Sequence, residues 1–421
     1  MKKTILSILL LLSFLLSGCG IIARNPRPES SKPTGPETAP VARDFSWIIT
    51  NGILTIKGHG AMPDFGSGSD QPWKAERNKI TKVIISDGIT HIGNEAFYHC
   101  NDLTQVQMPK SVTSIGKNAF RFCQKLESIR IPENVTHIGD YAFGDCWKLP
   151  SVALYRKVAH LGTAVFDRCQ ALTEISVEST NPYYSSENGV LFNKDKTALI
   201  RYPTEGGKKT YFIPNTVTVI ESGAFDACSN LEFIVIPSSV TTIGNFVFNG
   251  CYNLISLSIP GSVTSIGWDA FFSCASLTEV NVDVKNPKYA SQDGVFFTKG
   301  NKTLLHYPAG KTERSYAVPQ GVTEIGGGAF EFNRTIVSVS VPEGVTAINA
   351  NAFWNCRGLR SVEIPSSVVY IGSSAFSDCE SFQSITFHGT KSQWESIDKD
   401  DFSNSAFTVY CTDGNIEVIS G

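Results

Sequence analysis

A pattern of 23 residues recurs ten times after Lys79, and it restricts the chain to architectures that stack one unit many times. The pattern is V-T-x-I-G-x-x-A-F-x-x-C-x-x-L-x-x-V-x-I-P-x-x. Its copies begin at Ile89, Val112, Val135, Val158, Val217, Val240, Val263, Val322, Val345 and Val368. Two steps are 59 residues long, so positions 158, 263 and 368 are spaced by 105 residues. The chain is therefore predicted to be a solenoid with a 105-residue super-repeat, in which each coil packs on its neighbours.

One copy of the pattern predicts two short strands and a turn. Residues 103–108 alternate apolar and polar side chains, as a half-buried strand does, and Pro109 ends it because proline cannot donate a ladder hydrogen bond. Residues 112–115 are the second extended segment, and Ala119 and Phe120 predict a turn that carries an aromatic ring into the coil. Phenylalanine holds this position in all ten copies, which indicates core packing and not a cofactor site.

Glycine and cysteine also recur at fixed positions. Glycine follows the second strand in eight copies, as at Gly116, which predicts a backbone geometry that side chains resist. Nine of the 11 cysteines share one position, and Asn333 replaces cysteine in the eighth copy. Because the position accepts either residue, we expect it to need a small polar group that bonds to the coil backbone. Metal binding and nucleophilic chemistry are less consistent with this exchange. Disulfides between stacked cysteines are an alternative, since neighbouring coils bring Cα atoms ~5 Å apart.

The elements L-x-x-V-x-I-P, V-T-x-I-G and A-F-x-x-C resemble the BspA-like leucine-rich-repeat family of bacterial surface proteins over about residues 45–421. The resemblance implies a leucine-rich-repeat solenoid of the α/β horseshoe class that is dominated by β-structure. Its V-x-I strands would form one parallel sheet on the concave side, with short helical or 3-10 turns elsewhere in each coil. Ten repeats, one rung before them and one in each of two inserts predict about 13 rungs.

The repeats span residues 89–388 and are interrupted by inserts near residues 179–214 and 284–319. Each insert predicts a hairpin, around residues 193–196 and 299–302, followed by a rung of its own. Residues 44–88 predict an N-terminal cap with a hairpin turn at Asn51 and Gly52, and residues 389–421 predict a C-terminal cap. Caps are expected because an open sheet edge invites aggregation.

The N-terminal segment has the layout of an export signal. Two lysines precede an apolar run over residues 5–16, which is shorter than the ~20 residues of a membrane-spanning helix. The sequence L-S-G-C at residues 16–19 resembles the lipobox of bacterial lipoproteins, which implies a signal peptide at residues 1–18 and lipidation of Cys19. Residues 19–43 predict a flexible tether rich in proline and serine. The prediction is an exported protein, lipid-anchored in the cell envelope at the outer membrane or cell surface; the alternative is an uncleaved anchor.

Charge and motif content exclude several functional classes. The chain has 36 basic and 39 acidic side chains, a formal charge of −3, and so lacks the basic excess typical of nucleic-acid-binding proteins. No nucleophile elbow, zinc-protease motif, Walker loop or dinucleotide fingerprint occurs, and the prediction is a non-enzymatic protein without cofactor or metal. His91, His137 and His160 share one repeat position, but the variety of residues there in other copies favours solvent exposure over metal binding or pH sensing.

The outward positions of the V-x-I strands are mostly small and polar, with one apolar interruption. The interruption comprises Phe212, Phe233, Val235 and Ile255. The positions 105 residues later are Ala317, Ser338, Ser340 and Arg360. Since the fold does not demand apolar side chains there, the four residues are a candidate partner-binding site. The alternative is that the hairpin of the first insert covers them.

The resemblance also implies a function. Family members are associated with adhesion to host or matrix proteins and to other cells, which implies a membrane-anchored surface protein with a protein partner. A glycan-binding module is the first alternative, and Tyr183, Tyr184 and Tyr289 in the inserts favour it as aromatic platforms. A structural envelope spacer without a soluble ligand is the second alternative, favoured by the small polar side chains of the V-x-I strands.

Overall fold

The computed structural model describes residues 43–66, 70–399 and 406–418, all within one compact unit, Val41–Gly421. The predicted signal peptide, Cys19 and the tether up to residue 42 lie outside the described residues. Strands from the V-x-I segments stack in parallel and form an array that we call the V-x-I ladder. It contains β3 (Lys82–Ile85), β5 (Gln105–Gln107), β7 (Ser128–Ile129), β9 (Ser151–Leu154), β11 (Glu174–Val177), β15 (Thr210–Phe212), β17 (Phe233–Val235), β19 (Ser256–Ile259), β21 (Glu279–Val282), β25 (Ser315–Ala317), β27 (Ser338–Ser340), β29 (Ser361–Ile364) and β31 (Ser384–Phe387).

Strands from the V-T-x-I segments stack in a second parallel array, the T-x-I ladder. It contains β4 (Ile89–Ile92), β6 (Ser114–Ile115), β8 (His137–Ile138), β10 (His160–Leu161), β16 (Val219–Ile220), β18 (Thr242–Ile243), β20 (Ser265–Ile266), β26 (Glu324–Ile325), β28 (Ala347–Ile348) and β30 (Tyr370–Ile371). Between consecutive repeats, paired residues are 23 positions apart, as His137 and His160 are. Every repeat thus supplies one strand to each ladder, which confirms the predicted solenoid.

The thirteen V-x-I strands match the predicted number of rungs, but they differ from the single sheet that the resemblance implies. The ladder is interrupted between β7 and β9 and again at both inserts. In β11 the amide of Ile175 donates to the carbonyl oxygen of Gly189 in the first insert (3.0 Å), and Val280 in β21 makes the same bond to Gly294 in the second (2.9 Å). The insert therefore occupies the place where the next rung would pair.

Each insert folds into three antiparallel strands, one more than the predicted hairpin contains. They are β12 (Tyr184–Glu187), β13 (Val190–Asn193) and β14 (Ala198–Arg201) in the first insert, and β22 (Tyr289–Gln292), β23 (Val295–Thr298) and β24 (Thr303–His306) in the second. The additional turn is Asn188-Gly189, where both residues have positive φ as a two-residue hairpin loop requires. β14 then pairs in parallel with β16, so an insert is a hairpin plus one coil of the solenoid.

Stacked phenylalanine rings fill the interior of the coils. Phe97, Phe120, Phe143 and Phe166 are at most 2% exposed, and successive ring centroids are 5.1, 5.4 and 5.9 Å apart. Trp73 extends the column at its N-terminal end, 5.8 Å from Phe97. Each ring buries its faces only against the rings of the adjacent coils, so one coil cannot be stable without its neighbours.

The repeated cysteines are buried thiols that bond to the backbone of the preceding coil. The thiol of Cys123 donates to the carbonyl oxygen of Phe97 at 3.2 Å, and the same bond recurs in six further copies. The amide of Asn333 replaces this bond by donating to Pro308 O (3.3 Å) and accepting from Ile336 N (2.8 Å). The predicted structural role of this position is confirmed, and all described cysteines are free thiols.

The turns of the coils correct two expectations. Within the described part of the chain, helix is confined to a 3-10 helix at Lys74–Lys79 and to α1 (Lys391–Ser396), because turn residues such as Asn118 and Phe122 have φ of +54° and +63° and end any helical run. Gly116 is not among the residues with left-handed φ. A Cβ at this position would approach the amide nitrogen of Asn94 to 2.6 Å, so contact with the preceding coil requires the glycine.

Both ends of the solenoid continue the ladders. β1 (Arg43–Thr50) and β2 (Ile53–Ala61) form the predicted hairpin, and β2 pairs in parallel with both β3 and β4. At the other end β32 (Asp398–Lys399) pairs with β30, while β33 (Phe407–Cys411) pairs with β31 and with β34 (Gly414–Val418). None of the described residues belongs to a helix with the length and apolar character needed to cross a bilayer.

Replacing Phe120 with alanine should lower the free energy of unfolding by about 3–5 kcal/mol, because it leaves a cavity between two stacked rings. The change is measured by urea unfolding of the purified chain. Phe212→Ala is the matched control, and its 69% exposed ring should cost less than about 1 kcal/mol. Equal losses in both variants would contradict the stacking model.

Candidate functional site

Three of the predicted partner-binding residues lie together on the first two V-x-I strands after the first insert. Phe212 in β15 and Val235 in β17 are register partners on adjacent parallel strands. Phe233 lies two residues before Val235, so both side chains point to the same face of the ladder. Their exposed fractions are 69% for Phe212, 39% for Phe233 and 45% for Val235. We call these three residues the β15–β17 patch.

Ile255, the fourth predicted residue, lies at the margin of this patch. It precedes β19 by one residue and is 38% exposed. Its amide donates to the carbonyl oxygen of Glu232 at 3.0 Å, and its own carbonyl accepts from the amide of Thr278 at 2.9 Å. Ile255 therefore lies in the segment that leads into β19 and not in the paired strand itself.

The hairpin of the first insert leaves the β15–β17 patch exposed, contrary to the alternative in which it covers the patch. β12 and β13 pack instead against β11, where the hydroxyl of Ser186 accepts from the amide of Val177 at 2.9 Å. Phe212 lies on the strand next to the interruption of the ladder and is the most exposed of the three side chains. The partner-binding role of the patch stays a prediction.

Polar groups surround the patch. Ser256 pairs with Phe233 on the next strand, and the ammonium of Lys209 lies 2.6 Å from the carboxylate of Glu232. This ion pair is largely exposed and adds little to folding stability. An apolar centre inside a polar rim is the usual composition of a protein-binding surface.

The second super-repeat shows that the coils do not require this apolar character. β25 and β27 pair in the same register, with Ala317 opposite Ser340 where Phe212 is opposite Val235. The backbone geometry is the same, yet the side chains are small. The apolar side chains of the patch are therefore a property of the surface and not of the scaffold.

A cavity of about 470 Å³ lies beside the first insert, at the turns of the coils. Trp147 and Tyr252 contribute to its lining and are 39% and 55% exposed. Ala227 and Asn249 also line this cavity. The positions 105 residues later hold larger side chains, Phe332 and Trp354, whose ring centroids are 5.0 Å apart. The cavity is thus open in one super-repeat and occupied by aromatic rings in the other.

Two buried carboxyl groups follow the inserts at equivalent positions, which the sequence analysis missed. Burial and, to a smaller extent, the neighbouring carboxylate of Asp167 together raise the pKa of Asp226 to about 8. Burial, with a smaller effect of Asp269, raises the pKa of Glu331 to about 9. Burial therefore favours the protonated, uncharged form of both carboxyl groups. The sequence does contain a signal for these groups: an acidic residue directly follows the repeat phenylalanine in the first repeat after each insert.

The tyrosines proposed as glycan platforms have mostly structural roles. The hydroxyl of Tyr184 accepts from the amide of Leu161, and the hydroxyl of Tyr289 accepts from the amide of Ile266, both at 3.0 Å. Tyr289 is buried, and only Tyr183 presents a largely exposed ring, at 52%. Tyr184 and Tyr289 therefore hold the inserts against the T-x-I ladder.

The histidines form the predicted column but no group suited to a metal. His137 and His160 are register partners with ring centroids 5.6 Å apart. Burial and the charge of His160 lower the pKa of His137. His91 lies two rungs away, with Nδ1 2.7 Å from the hydroxyl of Ser114. No set of three or more potential metal ligands clusters within the residues that the structure describes.

Comparison with known proteins identifies the repeat. A family model described as a BspA type leucine rich repeat region matches residues 75–188, 208–313 and 309–420. A leucine-rich repeat protein from Eubacterium ventriosum has 30% sequence identity and a TM-score of 0.60, and the match covers 80% of this chain and 93% of that protein. No curated protein matched the chain.

Two further solved structures are similar at lower scores. A leucine rich cell surface protein from Faecalibacterium prausnitzii has 23% identity and a TM-score of 0.41, with 86% of this chain and 98% of that one covered. A leucine-rich repeat protein from Bacteroides ovatus has 20% identity and a TM-score of 0.40, with 88% and 99% covered.

Glu331→Gln should reduce the loss of folding stability that accompanies a rise in pH from about 5 to about 8. In the unfolded chain this carboxyl ionises above about pH 4.5, whereas in the folded chain it keeps its proton up to about pH 9. The free energy of unfolding therefore falls as the pH rises between these values. Urea unfolding at pH 5 and pH 8 should show a decrease that is smaller in the variant by about 4 kcal/mol.

Glu343→Gln is the control, because Glu343 is an exposed glutamate of the next coil. It should leave the decrease between pH 5 and pH 8 unchanged. A decrease of the same size in Glu331→Gln and in the unmodified chain would show that Glu331 is ionised in the folded protein.

Proposed function

This chain belongs to the BspA type leucine-rich-repeat family, and from that membership we propose that it is a non-enzymatic, lipid-anchored surface protein that binds other proteins. The partner class that fits is a matrix, host or bacterial surface protein. The observation that carries the proposal is the β15–β17 patch, whose three apolar side chains are exposed on a ladder face that is otherwise mostly small and polar. Single exposed apolar residues are common, but a contiguous group with a polar rim favours a partner.

The patch is also rigid, which suits recognition. Phe212 and Phe233 are held by backbone pairing to neighbouring strands, so a partner would not have to order a loop when it binds. Aromatic side chains provide much contact area for little loss of side-chain entropy, and they are common at the centres of protein interfaces.

Attachment to the envelope is proposed from the sequence alone. Cys19 follows an apolar run and would carry the lipid, and residues 20–42 would separate the solenoid from the membrane surface. Anchoring through several acyl chains is stable, whereas a single chain binds a membrane only marginally.

Cys19→Ala should abolish acylation and release the protein from the membrane fraction. The measurement combines incorporation of a labelled fatty acid with fractionation of cells that express the full chain. Cys411→Ala is the control, and it should leave both readouts unchanged because Cys411 lies in β33 of the solenoid. Acylation that persists in Cys19→Ala would contradict the proposed anchor.

Phe212→Ser combined with Phe233→Ser should weaken binding to a protein partner about a hundredfold, because central aromatic residues dominate interface energetics. The protein from residue 41 onward is screened against matrix proteins and bacterial surface proteins by surface plasmon resonance. Circular dichroism checks that the variant is folded.

The control variant carries substitutions at the equivalent positions of the second super-repeat, Ala317→Ser with Ser338→Ala. It should bind as the unmodified protein does, because these side chains lie outside the β15–β17 patch. Unchanged binding in the Phe212/Phe233 variant would refute the proposed site, and absence of any protein binding would favour a structural spacer.

A further inference from the structure

Three arginines converge on a small pocket in the second super-repeat, at the margin of the V-x-I ladder. The pocket has a volume of about 320 Å³. The arginines are Arg314, Arg334 and Arg360, and all three are exposed. The rest of its lining is mainly polar and consists of Thr312, Thr335, Val337, Gly358 and Ser381.

Backbone bonds fix the spacing of these arginines. The amide of Val337 donates to the carbonyl oxygen of Arg314 at 2.7 Å, and the amide of Arg360 donates to that of Val337 at 2.8 Å. Arg314 and Arg360 therefore occupy the same position on coils that are two rungs apart, a separation of ~10 Å. Arg334 comes from the coil between them, so one pocket receives charge from three consecutive coils.

The three arginines of this cluster have no carboxylate partner in the described part of the chain. Throughout the described ranges, no carboxylate lies within 4.0 Å of the guanidinium groups of Arg314, Arg334 or Arg360. Two acidic residues that adjoin lining residues in sequence pair elsewhere, Glu313 with Lys311 at 3.3 Å and Glu380 with Arg357 at 3.4 Å. Three like charges brought together destabilise the fold slightly, which a bound anion would reverse.

The first super-repeat shows that the fold does not require this cluster. The positions 105 residues before Arg314, Arg334 and Arg360 hold Lys209, Ser229 and Ile255. Lys209 is paired with Glu232, whose counterpart in the second super-repeat is Val337. Relative to the first super-repeat, the second has gained two positive charges and lost the acidic partner.

Gly358 is the second departure from the repeat, and it opens the pocket. The other nine copies have a side chain at this position: Asp102, Lys125, Lys148, Ala171, Asn230, Asn253, Ser276, Thr335 and Ser381. A Cβ at Gly358 would lie 2.4 Å from the carbonyl oxygen of Arg334. Glycine therefore both permits the close approach of the two coils and leaves the space between the arginines empty.

We propose that this pocket binds an oxyanion ester, sulfate or phosphate, carried by a polysaccharide. Guanidinium groups donate two parallel hydrogen bonds to such oxyanions, which a point charge does not reproduce. The hydroxyls of Thr312, Thr335 and Ser381 suit the hydroxyls of a sugar chain, and the row of arginines along the coils suits an anion that repeats along a polymer. The proposal is independent of the β15–β17 patch.

The test measures binding of the protein from residue 41 onward to dextran sulfate, phosphorylated dextran and unmodified dextran at low ionic strength. One or both charged dextrans should bind, and the tighter one identifies the ester. Unmodified dextran should bind at least about a hundredfold more weakly, because charge-assisted bonds supply most of the affinity. Equal binding of all three dextrans, or of none, would overturn the proposal.

A triple variant should bind the charged dextrans about a hundredfold or more weakly than the unmodified protein does. It carries Arg314→Gln, Arg334→Gln and Arg360→Gln. The charge-matched control removes three exposed lysines elsewhere, Lys110→Gln, Lys117→Gln and Lys148→Gln, and should change affinity less than about threefold. Equal losses in the two variants would show non-specific attraction and refute the site.

A third variant tests geometry against charge. Arg314→Lys, Arg334→Lys and Arg360→Lys together keep the charge but remove the paired donors, and should weaken binding about tenfold. Polyglutamate is the competing polymer. If it binds as tightly as the charged dextrans, or if the lysine variant binds as the unmodified protein does, the pocket responds to charge alone and the oxyanion assignment is wrong.

Discussion

Each coil of this solenoid buries its apolar side chains only against the coils before and after it. The rings of Phe120 and Phe143 stack at 5.4 Å, and the thiol of one coil bonds to a carbonyl of the coil before it. This dependence fixes the interior positions in every copy, because a ring or thiol that does not fit would disturb two interfaces at once. It also explains the glycine at Gly116, where the preceding coil leaves no room for a Cβ.

The same constraint leaves the outward positions free. Ala317 and Phe212 occupy equivalent places on β25 and β15, and the backbone pairing is the same beneath both. The 105-residue super-repeat is thus an internal comparison within one chain, in which the scaffold is constant and the surface varies. Differences between the two super-repeats indicate where the chain has acquired surface properties that folding does not demand.

Much of the fold could be predicted from the sequence, since the interior is periodic. The thirteen V-x-I strands, the T-x-I strands, the turn at Asn51 and the structural role of the cysteines follow from residue type and spacing. The interruption of the V-x-I ladder could not be predicted, because it depends on where Gly189 lies relative to Ile175 in space. The β15–β17 patch could be located from the alternation of side chains, and Ile255 lies at its margin, one residue before β19.

The arginine pocket illustrates the kind of site that periodic sequence analysis misses. Arg314, Arg334 and Arg360 come from three coils and from two different positions of the repeat, so they form no motif. They meet because the coils stack in register, and Gly358 leaves the space between them empty. The pocket lies on columns equivalent to Lys209 and Ile255, which adjoin the β15–β17 patch in the first super-repeat. One duplicated scaffold therefore presents an apolar surface in the first super-repeat and a basic surface in the second, at adjoining positions of the repeat. Since backbone pairing holds the strands beside both surfaces, neither would need to order a loop when a ligand binds.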